Sequence, residues 1–372
     1  MKTAGEVNAA SRAFAMVAVA IAGLAFWLTP LADRLEGALL DLQWTCLRGL
    51  APRPAPDDIV IVGVDEATIA RIREPMGLWH ETLGKALVRI ASAKPRAIAL
   101  DLALPERSQD AVRAGLDRAL LVGLAAARDN GPLVAALSID ARTRGARPIY
   151  PPFLAVLGAD GLGLGLLARD ADGISRRFSV LVPTEDGGFP TLAGRLCRAL
   201  MRECVDGYIH YAAGAPFEMV PLHRILESTD VAWLRKTLGG RVVMIGDTLA
   251  LSGRVDVPVN YAGWERARGD SPAIVVHAQA LRTALLGIAP QETSRAMMLL
   301  LVSLAALVFL VRDWRWCLVA AGLGAAILFA GALLALRAGW VLPMAAPLAT
   351  AVLACTARAL MALTRNFAIR RR

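Results

Sequence analysis

Four long stretches without a charged residue interrupt the alternation of hydrophobic and polar positions along the chain. Twenty residues of α-helix rise about 30 Å, which matches the hydrocarbon core of a bilayer. We therefore predict four transmembrane helices, and their bounds are 13–32, 296–311, 316–336 and 338–357. The alternative for the short stretch 296–311 is a buried core helix, although Arg295 and Arg312 at its ends are long enough to reach both interfaces.

Between the first and second stretches, apolar runs typical of buried strands alternate with amphipathic helical patterns. Residues 33–50 are predicted to continue from the first membrane helix as a helix, because Leu35, Leu39 and Leu42 recur at helical spacing. The alternation that follows predicts an α/β domain with a mostly parallel sheet. The other predicted helices cover 79–91, 109–128, 191–204 and 277–286. The predicted strands cover 59–64, 97–104, 133–139, 161–167, 177–183, 241–246 and 274–276.

The net charge of +9 belongs to the regions that flank the predicted membrane helices. Hydrophobic residues make up 56% of the 372 residues and the mean hydropathy is +0.49, which is too apolar for a wholly soluble protein. Residues 33–294 contain 30 basic and 30 acidic residues, whereas the rest of the chain contains 11 basic and two acidic residues. The excess is therefore not a nucleic-acid-binding face, and no nucleic-acid partner is expected.

The flanking charges also predict the orientation in the membrane. If the four helices alternate in direction, nine of the 11 basic residues fall on one side, which the positive-inside rule assigns to the cytoplasm. An uncleaved anchor is favoured over a cleaved signal peptide because the first apolar stretch is long. We thus predict an extracytoplasmic α/β domain with a mostly parallel sheet, plus four transmembrane α-helices. The segments are a cytoplasmic amino terminus (1–12), the first membrane helix (13–32), the extracytoplasmic domain (33–294), three further membrane helices (296–311, 316–336, 338–357) and a basic cytoplasmic tail (358–372).

Three of the five cysteines lie in the predicted extracytoplasmic domain. Cys197 and Cys204 fall on or beside one predicted helix, in which seven residues separate Cα atoms by about 10 Å. That distance is too long for a disulfide, so free buried thiols are predicted. A disulfide formed after a break in the helix is the alternative.

Sequence signatures of catalysis and of metal binding are absent. The chain has no Gly-x-Ser-x-Gly motif, no phosphate-binding loop and no Cys-x-x-Cys pair, and its four histidines lack the spacing of metal ligands. We therefore expect no enzymatic activity, no cofactor and no metal.

Acidic residues stand at the carboxyl ends of several predicted strands. These ends meet at one edge of a parallel sheet, where open α/β sheets usually bind ligands. The alternative for each residue is a helix cap or an ion pair with one of the many arginines. A histidine at the start of a predicted helix is a further candidate, for which packing or capping is the alternative. The candidate ligand-binding residues are Asp65, Glu66, Asp101, Asp247, Asp256 and His277.

A series of short motifs along the chain resembles the type-2 CHASE domain family, whose members are bacterial extracytoplasmic sensory domains. The motifs are Asp41 to Arg48, Asp57–Glu66 (DDIVIVGVDE), Ala97–Glu106 (AIALDLALPE), Asp172–Arg176 (DGISR), Pro190–Leu192, Arg241–Gly246 with Thr248, and Val276–Ala278 (VHA). The layout of one amino-terminal and three carboxyl-terminal membrane helices is similar as well. The chain departs from the family at residues 77–80, where a tryptophan-proline-rich turn is usual, at Asp247, which replaces a small residue, and at Asp256, which is offset from the usual aspartate.

The resemblance implies a multi-pass sensor of the bacterial inner membrane. Because only residues 358–372 follow the last predicted membrane helix, we expect a separately encoded cytoplasmic effector that receives a signal from a ligand or an envelope protein bound outside. A homodimer is an option because sensors with this layout are commonly dimeric, and the basic tail is expected to contact anionic lipid.

Two other hypotheses belong to different functional classes. The alternative to a sensor is a non-catalytic scaffold subunit of a larger envelope complex. A third hypothesis is an envelope hydrolase that uses Asp65 and Asp101, for which we expect no turnover.

Overall fold

The computed structural model describes residues 9–140, 145–183, 188–266 and 269–370, and within those ranges it describes the side chains of residues 12–364. The chain divides into two compact units. The described residues up to Leu50 and from Pro290 onward form one unit, which we call the membrane unit. Residues Ala51–Ala289 form the other, which we call the sheet unit.

Helices occur in both units. In chain order they are α1 (Ala9–Trp27), α2 (Pro30–Leu50), α3 (Glu66–Arg71), α4 (His80–Ser92), α5 (Leu116–Asp129), α6 (Pro151–Leu157), α7 (Leu192–Ala199), α8 (Leu222–Glu227), α9 (Val231–Leu238), α10 (Ala273–Leu285), α11 (Arg295–Ala306), α12 (Trp314–Arg337) and α13 (Ala345–Arg370).

The strands are mostly short. In chain order they are β1 (Ile59–Val64), β2 (Ala97–Asp101), β3 (Leu133–Leu137), β4 (Leu162–Leu164), β5 (Arg177–Phe178), β6 (Leu181–Val182), β7 (Phe189–Pro190), β8 (Gly207–Tyr208), β9 (Met219–Pro221), β10 (Val242–Asp247), β11 (Arg254–Asp256), β12 (Asp270–Pro272), β13 (Gln291–Glu292) and β14 (Trp340–Val341).

A six-stranded sheet with the order β4-β3-β2-β10-β1-β9 forms the centre of the sheet unit, and every neighbouring pair is parallel. The predicted α/β class with a mostly parallel sheet is therefore confirmed. Strand β1 is buried at all six positions, as expected for a strand covered on both faces. Alternate residues of the strands share one hydrophobic core with α4, α5, α8 and α9. Helices α7 and α10 cover the other face, where Gly163 closely approaches Leu192 and Gly246 approaches Ile274.

The strand predicted at 274–276 is wrong, because these residues belong to α10, which begins at Ala273. Eleven of the 13 residues of α10 are buried, so this helix is buried on all sides and its apolar residues are not confined to one face. Periodicity alone does not separate such a helix from a buried strand.

Several other predicted elements are shorter or divided. The strands predicted at 133–139 and 161–167 end at Leu137 and Leu164, and the helix predicted at 191–204 ends at Ala199. Helix α5 begins at Leu116 and not at 109, after Gly115 with a φ of 86°. Strand β2 ends at Asp101 and not at 104. The strand predicted at 177–183 is two separate strands, β5 and β6, which pair with β8 and β7 respectively.

The prediction of free thiols at Cys197 and Cys204 is also wrong, because the two residues form a disulfide. Helix α7 ends at Ala199, and Met201 has a φ of 52°, so the chain turns back after two helical turns. The Cα atoms therefore lie 6.2 Å apart, within the range that a disulfide requires.

In the membrane unit, the helix predicted to run on from the first membrane segment is broken. Helices α1 and α2 meet at an angle of 81°. Pro30 is the first residue of α2, a position that proline favours, and the Thr29 hydroxyl accepts the Ala32 N–H at 3.3 Å. Residues 33–50 are helical as predicted, but as part of a separate helix.

Four transmembrane helices are not confirmed. Within the described residues, α12 and the segment Ala345–Thr364 of α13 are long and apolar enough to cross a membrane. The bent pair α1–α2 is a third candidate if it counts as one span. The segment Arg295–Leu310 is apolar but shorter. The fourth span predicted at 338–357 begins as a helix only at Ala345, after the short strand β14.

Polar contacts join the helices of the membrane unit. The Glu36 carboxylate on α2 accepts the N–H groups of Met344 at 2.9 Å and of Ala345 at 2.8 Å, where α13 begins. Arg358, expected in the basic tail, is buried in α13, and its guanidinium donates to the Phe309 carbonyl at 2.5 Å. The side chains of residues 365–372 lie outside the described part of the chain. The contact of the basic tail with lipid therefore stays a prediction.

Candidate ligand-binding site

Three neighbouring strands of the central sheet, β2, β10 and β1, end in acidic residues. Asp101 pairs with Gly246, and Asp247 pairs with Val64, so Asp101, Asp247 and Asp65 follow one another along the carboxyl edge of the sheet. This edge is where open α/β sheets place their ligands.

Asp65 caps helix α3. Its Oδ1 accepts the Thr68 N–H at 2.8 Å and the Thr68 hydroxyl at 2.5 Å. The His223 Nδ1 lies 3.0 Å from the same hydroxyl and 3.7 Å from the Asp65 carboxylate. The capping alternative therefore applies to Asp65, and its carboxylate orientation is fixed by these contacts.

Glu66 and Asp247 hold the loop that follows β10. Glu66 is exposed, and its Oε1 accepts the Ala250 N–H at 2.7 Å. Asp247 accepts the Leu249 N–H at 2.7 Å and the Ser252 hydroxyl. Both carboxylates therefore have hydrogen-bond donors within this loop.

Asp101 and His277 are the two titratable groups placed deepest at this edge. Asp101 is half-buried and its carboxylate makes no hydrogen bond to a described residue, and desolvation raises the pKa of its carboxyl group against the opposing effect of His277. Asp247 raises that pKa further. Burial lowers the pKa of His277, which Asp101 partly offsets. His277 lies in the second turn of α10 and does not open the helix, contrary to the prediction.

Asp256 lies in a different sheet. It belongs to β11, which pairs antiparallel with β12, and it faces Asp270 in that pairing. Its carbonyl accepts the Ser175 N–H at 2.8 Å, which joins this ribbon to the segment Asp172–Arg176. In that segment the buried Arg176 is paired with Asp172 at 2.7 Å and with Asp170 at 2.9 Å.

A cleft of about 530 Å³ opens beside the ends of β1 and β10. We call it the acidic cleft, and it is lined by Asp65, Glu66, Met219, Thr248, Ala250, Trp264, Glu265 and Arg266. Its volume is in the range of small-molecule sites. Asp65 and Glu66 thus line a cleft, while Asp101, Asp247, Asp256 and His277 are not part of its wall.

The sequence analysis missed Trp264, Glu265 and Arg266, which lie between β11 and β12. Glu265 is held by two contacts of 2.8 Å to the Arg254 guanidinium and one of 2.9 Å to the Asn260 amide. Trp264 is half-buried and Arg266 is exposed. A tryptophan among charged residues in a predicted loop was the available signal, because exposed aromatic residues often contact ligands.

The cleft combines carboxylates, one arginine and an indole, a set that suits ligand binding. Carboxylates accept hydrogen bonds from ammonium, guanidinium or hydroxyl groups, and an indole face attracts cations. Within the described residues, no group of three or more His, Cys, Asp or Glu side chains is arranged to hold a metal ion.

Comparison with known proteins identifies the family. The model of the CHASE2 domain matches residues 15–323, which is most of the chain. No curated protein and no solved structure matches the chain. The match includes strands β1, β2 and β10, whose carboxyl ends lie next to the acidic residues. It also includes helices α2 and α11 of the membrane unit. The protein therefore belongs to the CHASE2 domain family, a family of extracytoplasmic sensory domains.

Proposed function

We propose that the protein is an integral membrane sensor whose sheet unit lies outside the cytoplasm and binds a solute or an envelope protein at the acidic cleft. The bound state is transmitted to a cytoplasmic effector. Membership of a sensory family and the presence of apolar helices long enough to span a membrane support the general role. The acidic cleft supports the position of the binding site.

The observation that carries the proposal is the meeting of carboxylates from three adjacent parallel strands beside an open cleft. Glu66, which lines the cleft, and Asp247, at the end of β10, each accept a backbone N–H group of the loop after β10. A ligand in the cleft that carries hydrogen-bond donors competes directly for the Glu66 carboxylate. Binding is therefore expected to change the position of this loop, which gives the cleft two states for a ligand to bias.

The disulfide between Cys197 and Cys204 supports an extracytoplasmic position for the sheet unit. Structural disulfides form and persist in oxidising compartments and are rare in the cytosol. The distribution of basic residues supports the same orientation, because the excess lies next to the predicted membrane helices and outside residues 33–294.

The chain itself offers a route for the signal. Strand β10 ends at Asp247 in the candidate site, and α10, which covers β10 and contains His277, leads through residues 286–294 into α11. A shift of α10 on the sheet is therefore carried along the backbone towards the membrane unit. We propose this connection as the path from the site to the membrane helices.

Affinity purification of the full chain from native membranes tests the function. The unchanged chain is compared with a Glu66→Gln variant, which removes one exposed carboxylate from the wall of the acidic cleft. We expect a kinase, cyclase or transcriptional regulator to purify with the chain, and its activity to differ between the two forms. Purification of a stoichiometric envelope assembly that is the same with both forms would contradict the sensor and support a scaffold.

A further inference from the structure

A second cleft, which none of the candidate acidic residues lines, lies between helices α4 and α5 of the sheet unit. Its volume is about 790 Å³, within the range of small-molecule sites. Residues 81–89 of α4 and residues 113–122, which include the start of α5, form its walls, together with Leu226 at the end of α8. The two helices approach closely, because a Cβ at Gly123 would lie 2.4 Å from the Gly84 Cα. The packed helix pair therefore gives the cleft a rigid floor.

The charged side chains that line this cleft are mostly cationic. Four basic residues, Lys85, Arg89, Arg113 and Arg118, face one acidic residue, Glu81. Residues 33–294 as a whole contain equal numbers of basic and acidic residues, so the cationic excess is local. We call this site the basic cleft. A local excess of this kind attracts anions and raises their concentration at the site.

Not every cationic side chain of the basic cleft is held by a partner in the protein, so at least one is available to a ligand. Glu81 is already paired with Lys85 at 2.6 Å and with Arg113 at 3.6 Å. Arg89 donates to the carbonyls of Ile225 and Ser228, which fixes its position. Arg118 is exposed, and its side chain makes no hydrogen bond or ion pair with any residue in the described part of the chain. Its guanidinium is free to form a two-point contact with an oxyanion.

The rest of the wall is apolar. Val88 on α4 is 39% exposed and Val122 on α5 is 55% exposed, so both present hydrocarbon surface to solvent. Leu226 adds to this surface. An inorganic anion would leave these side chains uncovered, whereas a ligand with an apolar body would bury them.

We propose that the basic cleft binds a small organic anion in which an apolar group is attached to a carboxylate or a phosphate. Arg118 contacts the oxyanion, and Val88 and Val122 cover the apolar group. The size of the cleft and the complementary charge favour a small molecule over a protein partner. This site is independent of the acidic cleft, whose carboxylates repel the same ligand.

Calorimetric titration of the full chain in nanodiscs of zwitterionic lipid tests the proposal, with empty nanodiscs as the blank. The probes are phenyl phosphate, benzoate, inorganic phosphate and benzylamine. We expect one or both aromatic anions to bind, and the comparison between them identifies the preferred oxyanion. Inorganic phosphate is expected to bind more weakly because it lacks the apolar group, and benzylamine is expected not to bind.

Matched variants locate the binding. Arg118→Gln is expected to weaken the binding of the aromatic anion about tenfold, the loss expected for one charge-assisted contact. Val122→Glu is expected to weaken it as well. Arg235→Gln removes an exposed arginine of α9 outside the cleft and is expected to change nothing. Absence of binding by both aromatic anions, or equal binding by the Arg118→Gln and Arg235→Gln variants, would overturn the proposal. The Glu66→Gln variant of the acidic cleft is expected to bind the anion as the unchanged chain does, so the two sites are tested separately.

Discussion

The acidic residues at the carboxyl edge of the sheet differ in whether their carboxylates have hydrogen-bond partners in the fold. Asp65 caps a helix and Asp247 holds a loop, so both carboxylates have structural partners. The Asp101 carboxylate has no hydrogen-bond partner among the described residues, and desolvation raises the pKa of this carboxyl group. A desolvated carboxylate without such partners lowers the stability of the fold, and such groups are concentrated at functional sites.

Asp101→Asn is expected to raise the melting temperature of the full chain at neutral pH. The raised pKa means that the folded state prefers the protonated form, so ionisation of Asp101 costs stability at every pH above the unfolded value near 3.8. An asparagine removes this cost. Differential scanning calorimetry of both forms measures the change. Asp65→Ala is the contrasting variant, because loss of a helix cap is expected to cost about 1 kcal/mol. A lower melting temperature for Asp101→Asn would show that the carboxylate has a stabilising partner.

His210 is expected to make the sheet unit less stable in acid. Burial, helped by the positive charge of Arg53, lowers the pKa of His210 to about 4 from 6.5, and the residue is 2% exposed. The unfolded state therefore binds a proton more readily, and stability is lost as the pH falls from about 6.5 through about 4. The loss from this group is about 3 kcal/mol. Chemical denaturation at pH 7, 5.5 and 4 is expected to show a smaller pH dependence for His210→Gln. An unchanged pH dependence would contradict the shifted pKa.

Among the elements, the strands with continuous apolar runs were predictable and the breaks in helices were not. Residues 59–64, 97–100 and 242–246 are continuous apolar runs of the length typical of a doubly covered strand, and the acidic residues next to their ends followed from that assignment. The edge strand β9 has only three residues and no alternation, so nothing in its local pattern identifies it. The turn after α7 depends on Met201 in a left-handed conformation that sequence does not favour, and the disulfide depends on that turn.

The contact between α4 and α5 is expected to depend on glycine at position 123. A Cβ there would lie 2.4 Å from the backbone of Gly84, and backbone atoms have no alternative rotamer to adopt. Gly123→Ala is therefore expected to destabilise the sheet unit by about 1 to 3 kcal/mol. Gly49→Ala in α2 is the control, because a Cβ at that helical position meets no atom within 4 Å. Equal melting temperatures for the two variants would contradict the close packing.

The disulfide is expected to stabilise the region after α7. It closes a loop between residues seven positions apart, for which the chain-entropy estimate is about 2 to 3 kcal/mol. Replacement of both Cys197 and Cys204 by serine should lower the stability of the full chain by that amount. Cys46→Ser, which removes a free thiol, serves as the control. If non-reducing mass spectrometry of the unchanged chain finds free thiols at both positions, the bond is absent.

At the scale of the whole molecule, the sensor proposal requires the sheet unit and the membrane unit to lie in different environments. The sequence predicted this division from the position of charge, since the acidic and basic residues of 33–294 balance while the flanks are basic. The number of spans was less predictable, because length and hydropathy do not reveal the break at Pro30 or the early end of α11. The orientation depends on the number of crossings and needs direct measurement.

Labelling of single cysteines with a membrane-impermeant maleimide tests the orientation most directly. In a background in which the free cysteines Cys46, Cys317 and Cys355 are replaced by alanine, one variant carries Leu251→Cys at a position of the sheet unit that is 97% exposed, and the other carries Arg312→Cys at the exposed turn before α12. In intact spheroplasts we expect the cysteine at position 251 to be labelled, and the cysteine at position 312 to be labelled only after permeabilisation. Labelling of position 312 in intact spheroplasts, with protection of position 251 until the membrane is opened, would contradict an extracytoplasmic sensor.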